Sequence, residues 1–351
     1  MTKLLGIQAL RGVAALAVVA YHAARHLGKE VDASAITRLT QPGHAGVDLF
    51  FVLSGFIILH VHGKDIGRPK ALARYAWQRF ARLLPIYWIA MTAAAVLMLP
   101  HHSNELTLVR IGLSASLLPI PHDPLLGISW TLQHEVLFYF AVALLICNKT
   151  LGLSFFVFWI IWAVSQNIGI FPKSGPDIIA SAFNIEFLFG MAAAVVVHHG
   201  WIKHGGLLAL VAAGGLIAVG VTEVSGLLYG YGNLARLAYG VPSAVLVAAL
   251  AVWEGKRQRK IPLLPIALGE ASYSLYLFHL LGIAVGWQIW LRTEFDSVTR
   301  IIECYAFLVV SALTCGLAAY YFVEAPLLRY LRRRASSWFN RTDIDGIVLG
   351  N

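Results

Sequence analysis

An arginine and a histidine lie inside the first long apolar run of the chain, residues 6–25. A charged or titratable side chain within a membrane span is costly unless a partner or a water-filled cavity receives it. Arg11 and His22 are eleven positions apart, so an α-helix places them on nearly the same face, about 16 Å apart along its axis. That face presents a fixed cation near one membrane surface and a titratable imidazole near the other. The alternative is an arginine that extends to the lipid headgroups and a histidine at a helix end.

Two carboxylates are predicted to share the membrane depth of His22. Asp48 lies near the start of the second apolar run and Glu135 somewhat further into the fourth, and the direction of these spans places both in the outer part of the membrane. A carboxylate beside an imidazole orients the ring and favours its protonated form, as a general base that accepts a hydroxyl proton requires. The alternative is a structural polar network that holds helices together.

Three arginines precede or begin the third apolar run. Arg74, Arg79 and Arg82 belong to the sequence RYAWQRFARLLP, and the last two are about one helical turn apart. Guanidinium groups in this position can hold the phosphates of a nucleotide-like donor through paired hydrogen bonds. The alternative is that they only set the membrane topology and attract anionic lipid headgroups.

Other polar residues interrupt later apolar runs. They include Glu186 in the sixth run, Arg236 near the start of the eighth and His279 in the ninth. No two helices are predicted to carry histidines at matched depth, which argues against a haem held by two histidines. The sequence also lacks the nucleophile elbow, HExxH and P-loop motifs of well-known catalytic sites.

The composition indicates which elements must position these residues. Of the 351 residues, 58% are hydrophobic and 13% are charged, whereas soluble domains carry about 25% charged residues. The net charge of +9 follows from basic residues between apolar runs, which is typical of membrane topology and not of nucleic-acid binding. The three cysteines lie in apolar runs without metal or disulfide spacing.

Ten apolar runs are long enough to cross about 30 Å of hydrocarbon. They are residues 6–25, 46–62, 82–99, 128–147, 152–169, 178–198, 206–222, 234–253, 268–291 and 301–323. Residues 106–120 are apolar but short, and we interpret them as a surface or re-entrant piece. The sequence therefore predicts an all-α polytopic membrane bundle of about ten transmembrane helices.

The basic residues set the predicted orientation. With the N-terminus inside, the clusters after runs two, eight and ten are all cytoplasmic, and so is the C-terminus. We predict a membrane domain at residues 1–335, a short cytoplasmic tail at residues 336–351, and a location in the cytoplasmic (inner) membrane.

Six stretches, taken together in this order, resemble a known family. They are the Arg-x10-His span, GVDLFFVLSGF (46–56), the basic segment ending in RLLP (82–85), SWTLQHEVLFY (129–139), SYSLYLFH (272–279) and VEAP (323–326) before a basic tail. Over most of its length the chain resembles the acyltransferase family 3 of integral membrane acyltransferases. Its opening residues resemble the exopolysaccharide O-acetyltransferase branch more than the antibiotic-modifying ones.

The resemblance implies an activity and its partners. A bundle of about ten spans would transfer an acetyl or other short acyl group from cytosolic acyl-CoA to a sugar hydroxyl. The acceptor would be a surface or exported polysaccharide or its lipid-linked precursor. Acyl-CoA would be a donor substrate, with no permanently bound cofactor and no metal. Membrane lipid and polysaccharide export machinery are the other expected partners, and nucleic acid is not.

The resemblance also assigns roles to residues. Arg11 and His22 match the family's essential pair, in which His22 takes the hydroxyl proton and Arg11 lines the cavity or holds the donor. Asp48 or Glu135 would orient the His22 ring. Direct transfer and an acyl-histidine intermediate both remain open. The arginines at the start of the third run match a family site that meets the CoA end, and we predict Arg74, Arg79 and Arg82 as donor-binding residues. We further predict Trp130, Glu186 and His279 as substrate-binding residues.

Two other classes of function remain. A transporter or flippase of lipid-linked saccharides would use the buried charges to line a translocation path. A purely structural partner in a polysaccharide export complex would need neither Arg11 nor His22.

Overall fold

The computed structural model describes residues 4–119, 124–170, 177–256, 262–291 and 297–338, and within these ranges the chain forms helices and no β-strand. This confirms the predicted all-α fold. The α-helices are α1 (Leu5–Glu30), α2 (Ser34–Thr40), α3 (Gly46–His62), α4 (Leu72–His102), α5 (Leu108–Ser116), α6 (Trp130–Cys147), α7 (Lys149–Asn167), α8 (Asp177–Ala180), α9 (Phe183–His198), α10 (Gly205–Val224), α11 (Asn233–Lys256), α12 (Leu263–Glu270), α13 (Ser272–Trp290), α14 (Val298–Ala319) and α15 (Ala325–Trp338).

The number of long apolar helices agrees with the ten predicted runs. Within the described ranges, nine helical segments are long and apolar enough to cross a membrane, and the pair α12 and α13 gives a tenth candidate. This pair is bent by 76° at its break. The nine residues of α5 rise only about 13 Å, so this helix is too short to cross, as predicted.

The chain divides into two compact units. The first consists of Met1–Leu53 and Val196–Leu327, and the second of Ser54–Val195 and Leu328–Gly350. The boundary at Leu53 and Ser54 lies inside α3, so this helix contributes to both units. The predicted tail, residues 336–351, lies outside the described residues except for the last turn of α15, and so do the basic residues 257–260.

Helix α1 organises the first unit. It contacts α2, α11, α12, α13 and α14, and α13 also packs along α14. Apolar side chains of α1 make this possible: Val19, Ala23 and Leu27 are buried with Ile283 and Leu308. Between membrane helices such side chains contribute mainly through van der Waals packing, because the surrounding lipid tails are as apolar as they are.

Glycines allow α1 and α12 to approach closely. A Cβ at Gly12 would lie 2.5 Å from the backbone oxygen of Pro265, and one at Gly269 would collide with the backbone oxygen of Gln8. Small residues at helix contacts let two backbones come together, which is typical of membrane bundles. The contact therefore fixes α12 beside the first turns of α1.

Replacing Gly269 by alanine is expected to destabilise the first unit. The added Cβ forces α1 and α12 apart, which costs about 1–3 kcal/mol for overpacking. Thermal unfolding of the protein in detergent measures this loss. Gly214→Ala is the matched control, since Gly214 lies in α10 with no atom near its missing Cβ. An equal stability for both variants would contradict the assigned contact.

Helix α6 has the corresponding place in the second unit. It contacts α4, α7 and α8, and Phe138 on α6 stacks on Phe187 of α9 with ring centroids 4.4 Å apart. Gly55 of α3 lies against the backbone of Phe187. The small residue in the middle of α3 therefore permits a close helix contact.

Candidate active site

The ring of His22 lies beside that of His279. His22 is partly buried on α1, His279 is fully buried on α13, and their ring centroids are 5.0 Å apart with planes inclined at 47°. The prediction that no two helices carry histidines at matched depth is therefore wrong. The contact between α1 and α12 determines where along α1 the next helix, α13, begins. Ala15 packs with Ala271 and Leu275, so α13 begins well along α1 and not at its end.

Arg11 occupies the same helix face at the other end of α1. It is buried, with 8% of its surface exposed, and its guanidinium donates to the side-chain oxygen of Gln8 at 3.4 Å. Helix α1 is continuous from Leu5 to Glu30, so Arg11 and His22 keep their expected axial separation of about 16 Å. The geometry that the sequence predicted for this pair is present.

A carboxylate fixes the N-terminus of α1. The side chain of Glu254 accepts hydrogen bonds from the backbone N–H groups of Leu5 and Gly6, the latter at 2.9 Å. Backbone N–H groups in the first turn of a helix have no partner within the helix, and an anion there is stabilising. The first turn of α1 is thereby tied to the end of α11.

The residue before His22 belongs to a hydrogen-bonded group of tyrosines. The hydroxyls of Tyr21 and Tyr231 are 2.6 Å apart, and Arg25 donates to the hydroxyl of Tyr21 at 2.7 Å. Burial raises the pKa of Tyr231, which lies between α10 and α11, so its hydroxyl stays protonated at neutral pH. About half of Tyr231 is exposed, and Tyr229 close by is exposed over 73% of its surface.

His44 forms an ion-pair geometry with a carboxylate of α10. Its Nε2 lies 3.0 Å from Glu223, whose other oxygen accepts a hydrogen bond from Tyr239 at 2.5 Å. The imidazole also stacks on Tyr231 with centroids 4.9 Å apart. His44 therefore joins the tyrosine group through Glu223 and Tyr231, a role that the sequence did not predict.

Asp48 pairs with an arginine of α11. This carboxylate is fully buried in the first turn of α3, and Arg236 contacts it at 2.6 Å. Arg236 also donates to the backbone oxygen of Gly230. The sequence predicts that Asp48 or Glu135 orients the His22 ring, but the ion pair of Asp48 is with Arg236 and the ring beside His22 is that of His279.

In the second unit, Glu135 is linked to Arg79 through a tyrosine. Glu135 accepts hydrogen bonds from Tyr139 and, at 3.4 Å, from Ser54. The guanidinium of Arg79 lies 5.5 Å from the ring centre of Tyr139 and 5.8 Å from that of Tyr75. A cation over aromatic faces is held in place by their negative faces, which leaves its N–H groups free to bind an anion.

The Nε atom of Arg79 is buried and has no hydrogen-bond partner among the described residues. A buried N–H group without an acceptor costs free energy, which an anion that reached it would recover. Arg82 is partly buried and follows Arg79 by three positions on α4. The predicted donor arginines thus include one whose position is fixed by aromatic rings and whose Nε–H is unused.

The third predicted arginine has a structural partner. Arg74 binds Asp65 at 2.8 Å, and the other oxygen of Asp65 lies 2.9 Å from Nδ1 of His62. His62 in turn contacts the ring of Tyr75 edge-on at 5.0 Å. Arg74 therefore supports the aromatic side chains under Arg79, and its own charge is paired with a carboxylate.

The remaining predicted substrate residues lie in two places of the second unit. Trp130 begins α6, where its ring contacts His134 edge-on and lies 5.0 Å from that of Phe183. Glu186 is fully buried in the first turn of α9.

The motifs SYSLYLFH (272–279) and VEAP (323–326) contact each other in the first unit. Glu324 accepts hydrogen bonds from the hydroxyl of Ser274 at 2.6 Å and from its backbone N–H at 3.2 Å. This carboxylate ends a π-helical turn, Tyr320–Glu324, and it satisfies an N–H group in the first turn of α13. VEAP and SYSLYLFH therefore form one contact, which fixes the start of the helix that carries His279.

Among the described residues, no three His, Cys, Asp or Glu side chains are arranged to hold a metal ion. Within the described residues, the first unit carries the His22–His279 imidazole pair, and the second carries Arg79, whose buried Nε–H has no hydrogen-bond partner. Comparison with known proteins identifies the family of the chain. A family model described as an acyltransferase domain matches residues 4–322. The chain belongs to this acyltransferase family.

Three known proteins are similar to the chain, two of them over most of its length. The exopolysaccharide production protein ExoZ of Rhizobium meliloti (strain 1021) is 27% identical over 317 residues, 83% of this chain and 92% of its own length. The acyltransferase MdmB of Streptomyces mycarofaciens is 27% identical over 385 residues, 95% and 94% of the two chains. Protein 2 in the picA locus of Rhizobium radiobacter is 36% identical over 90 residues, 25% and 42% of the two chains. No solved structure matches the chain.

This acyltransferase is a multi-pass membrane protein, as its long apolar helices and its family both show. The family match spans five of the six stretches on which the predicted resemblance rests and ends just before VEAP. The family assignment made from the sequence is therefore confirmed.

Proposed function

We propose that the protein transfers an acetyl or other short acyl group from acyl-CoA to a sugar hydroxyl. The acceptor is a surface or exported polysaccharide or its lipid-linked precursor, and the reaction takes place at the cytoplasmic membrane. The observation that carries this proposal is the partly buried His22, a base within an acyltransferase chain, with a second imidazole 5.0 Å away. An imidazole is the side chain best suited to accept and return a proton near neutral pH.

The proposed reaction needs only one proton carrier. The acceptor oxygen attacks the thioester carbonyl carbon while His22 takes the hydroxyl proton. The carbon–sulfur bond then breaks, and His22 returns the proton to the departing sulfur, so that an ester and free CoA are formed. An acyl-histidine intermediate would instead require His22 to attack the thioester itself.

Arg79 is the proposed contact for the phosphates of CoA. Tyr75 and Tyr139 fix its guanidinium, and its buried Nε–H lacks a partner among the described residues. Arginine binds phosphate through parallel hydrogen bonds that lysine does not reproduce. Arg82, on the same helix, adds a second positive charge for a polyanionic donor.

Arg79→Gln is expected to raise the KM for acyl-CoA about tenfold to a hundredfold with little change in kcat. A charged hydrogen bond of this kind contributes about 1.5–3 kcal/mol to binding. Steady-state kinetics with varied acyl-CoA measures the change, and Arg79→Lys should restore only part of the affinity. Arg110→Gln is the control, since Arg110 pairs with Glu105 at 2.6 Å on α5. An unchanged KM in Arg79→Gln would remove Arg79 from the donor site.

Two observations favour a saccharide acceptor. The relative ExoZ is a protein of exopolysaccharide production. In this chain, the residue next to His22, Tyr21, is hydrogen-bonded to the half-exposed Tyr231, and Tyr229 is largely exposed. Aromatic faces combined with a few polar groups are typical of sites that bind small polar ligands.

The decisive experiment uses purified wild-type protein with acetyl-CoA and a polysaccharide or lipid-linked saccharide acceptor. Acyl transfer predicts release of the free CoA thiol that depends on the acceptor, together with an ester on the saccharide. A flippase of lipid-linked saccharides, which the buried Asp48 and Arg236 would also suit, predicts movement of the saccharide across vesicles without consumption of CoA. Saccharide movement without thiol release would overturn the proposal.

A further inference from the structure

His279 has a buried nitrogen for which the proposed reaction gives no role. The residue is fully buried on α13, and its Nδ1 lies 2.6 Å from the backbone oxygen of Tyr276. A carbonyl oxygen only accepts hydrogen bonds, so Nδ1 carries the proton and Nε2 has a lone pair. This Nε2 is buried without a hydrogen-bond partner among the described residues. A buried acceptor without a donor costs free energy, which a donor that reaches it would recover.

His22 is placed to supply that donor. The two ring centroids are 5.0 Å apart and the planes are inclined at 47°. Two imidazoles joined by an N–H···N hydrogen bond of about 3 Å have centroids roughly 5 Å apart. The observed centroid separation matches this value, so the two rings are close enough for such a bond when a nitrogen of the His22 ring faces Nε2 of His279.

We propose that His279 is a positioning residue for His22. In this arrangement, which rests on the proposed function, one ring nitrogen of His22 donates its proton to Nε2 of His279. The other nitrogen of His22 then carries the lone pair that faces the acceptor hydroxyl. When His22 takes the hydroxyl proton, the resulting imidazolium keeps its hydrogen bond to His279, which stabilises the charge. His279 itself neither gains nor loses a proton.

This role differs from the substrate-binding role that the sequence predicts for His279. A residue that binds substrate directly affects mainly KM, whereas one that holds the tautomer of the base affects mainly kcat. The contact of Glu324 with Ser274 supports a positioning role, because it fixes the helix on which His279 lies. Nδ1 is likewise held by the backbone of the same helix, so the direction of Nε2 is set by the fold.

Two variants separate these roles in the full-length protein. His279→Leu removes the acceptor at similar volume, and we expect kcat to fall about 100-fold while KM for both substrates changes less than about twofold. His279→Gln keeps an oxygen that can accept from His22, and we expect it to recover about tenfold of that loss. In a His22→Ala background, His279→Leu should cause no further loss, because the two residues act as a unit. A raised KM with unchanged kcat, or losses that add fully, would overturn the proposal.

A measurement without turnover tests the same contact. In ¹⁵N-histidine-labelled protein, His22→Ala identifies the signals of His22. We expect a single tautomer of His22 in the wild type and a mixture of two in His279→Leu. Identical signals in the two proteins would overturn the positioning role. Failure of the wild type to release CoA would reject the proposed function alone, and the ¹⁵N signals would then still decide whether His279 holds His22.

Discussion

His22→Ala is expected to remove all but a small residual rate of acyl transfer while the protein remains abundant and membrane-inserted. Loss of a general base lowers the rate about 10²–10⁴-fold, and loss of a nucleophile lowers it at least as much. The side chain is only partly buried, so its removal leaves the packing of α1 through Val19, Ala23 and Leu27 intact. Acceptor-dependent release of CoA thiol by purified protein measures the effect.

The control for this variant is a second histidine on the same helix. His26 is partly buried one turn further along α1, where its ring contacts Trp287 edge-on at 5.3 Å. His26→Ala should therefore keep most of the wild-type turnover. Wild-type turnover in His22→Ala, or an equal loss in both variants, would reject His22 as the group that carries the proton.

Arg236→Met is expected to destabilise the protein by about 3–5 kcal/mol. The substitution removes the cation that contacts Asp48, and both side chains are almost fully buried, at 4% and 0% exposure. Removing one partner of a buried ion pair is costly because the other charge stays in a medium that solvates it poorly. Thermal unfolding in detergent, followed by intrinsic fluorescence, measures the loss.

Two further variants test the reason for this loss. The double variant Asp48→Leu/Arg236→Met removes both charges and should recover most of the stability, since paired apolar replacements are often nearly neutral. Arg300→Met breaks an exposed pair with Glu303, at 46% and 49% exposure, and should change stability by less than about 1 kcal/mol. If the double variant is no more stable than Arg236→Met, the ion pair is not the source of the effect.

The sequence predicts well the features that lie within a single helix. The spacing of Arg11 and His22 on α1 follows from helical periodicity, and each of the ten apolar runs corresponds to a long helix or to the bent pair. These features depend only on neighbouring residues and on the thickness of a bilayer.

The sequence does not predict which helices are neighbours. Asp48 and Arg236 are 188 positions apart, and His44 and Glu223 are 179 apart, so no periodicity connects either pair. The pairing of His279 with His22 is missed for a related reason. The sequence predicts one span over residues 268–291, whereas the structure bends by 76° between α12 and α13, so that α13 begins beside Ala15. About seven residues further along, α1 reaches His22 and α13 reaches His279.

Because α12 and α13 are bent against each other, the direction of α13, the helix that carries His279, depends on contacts with residues near both ends of the chain. Before the bend, Gly269 lets α12 pack directly against the backbone of Gln8 in the first turn of α1. After the bend, Glu324 anchors the opening turn of α13 from near the last described helix. A chain shortened before Glu324 would retain both histidines but lose the hydrogen bonds from Ser274 to Glu324 that fix the start of α13, and with them the position of His279 beside His22.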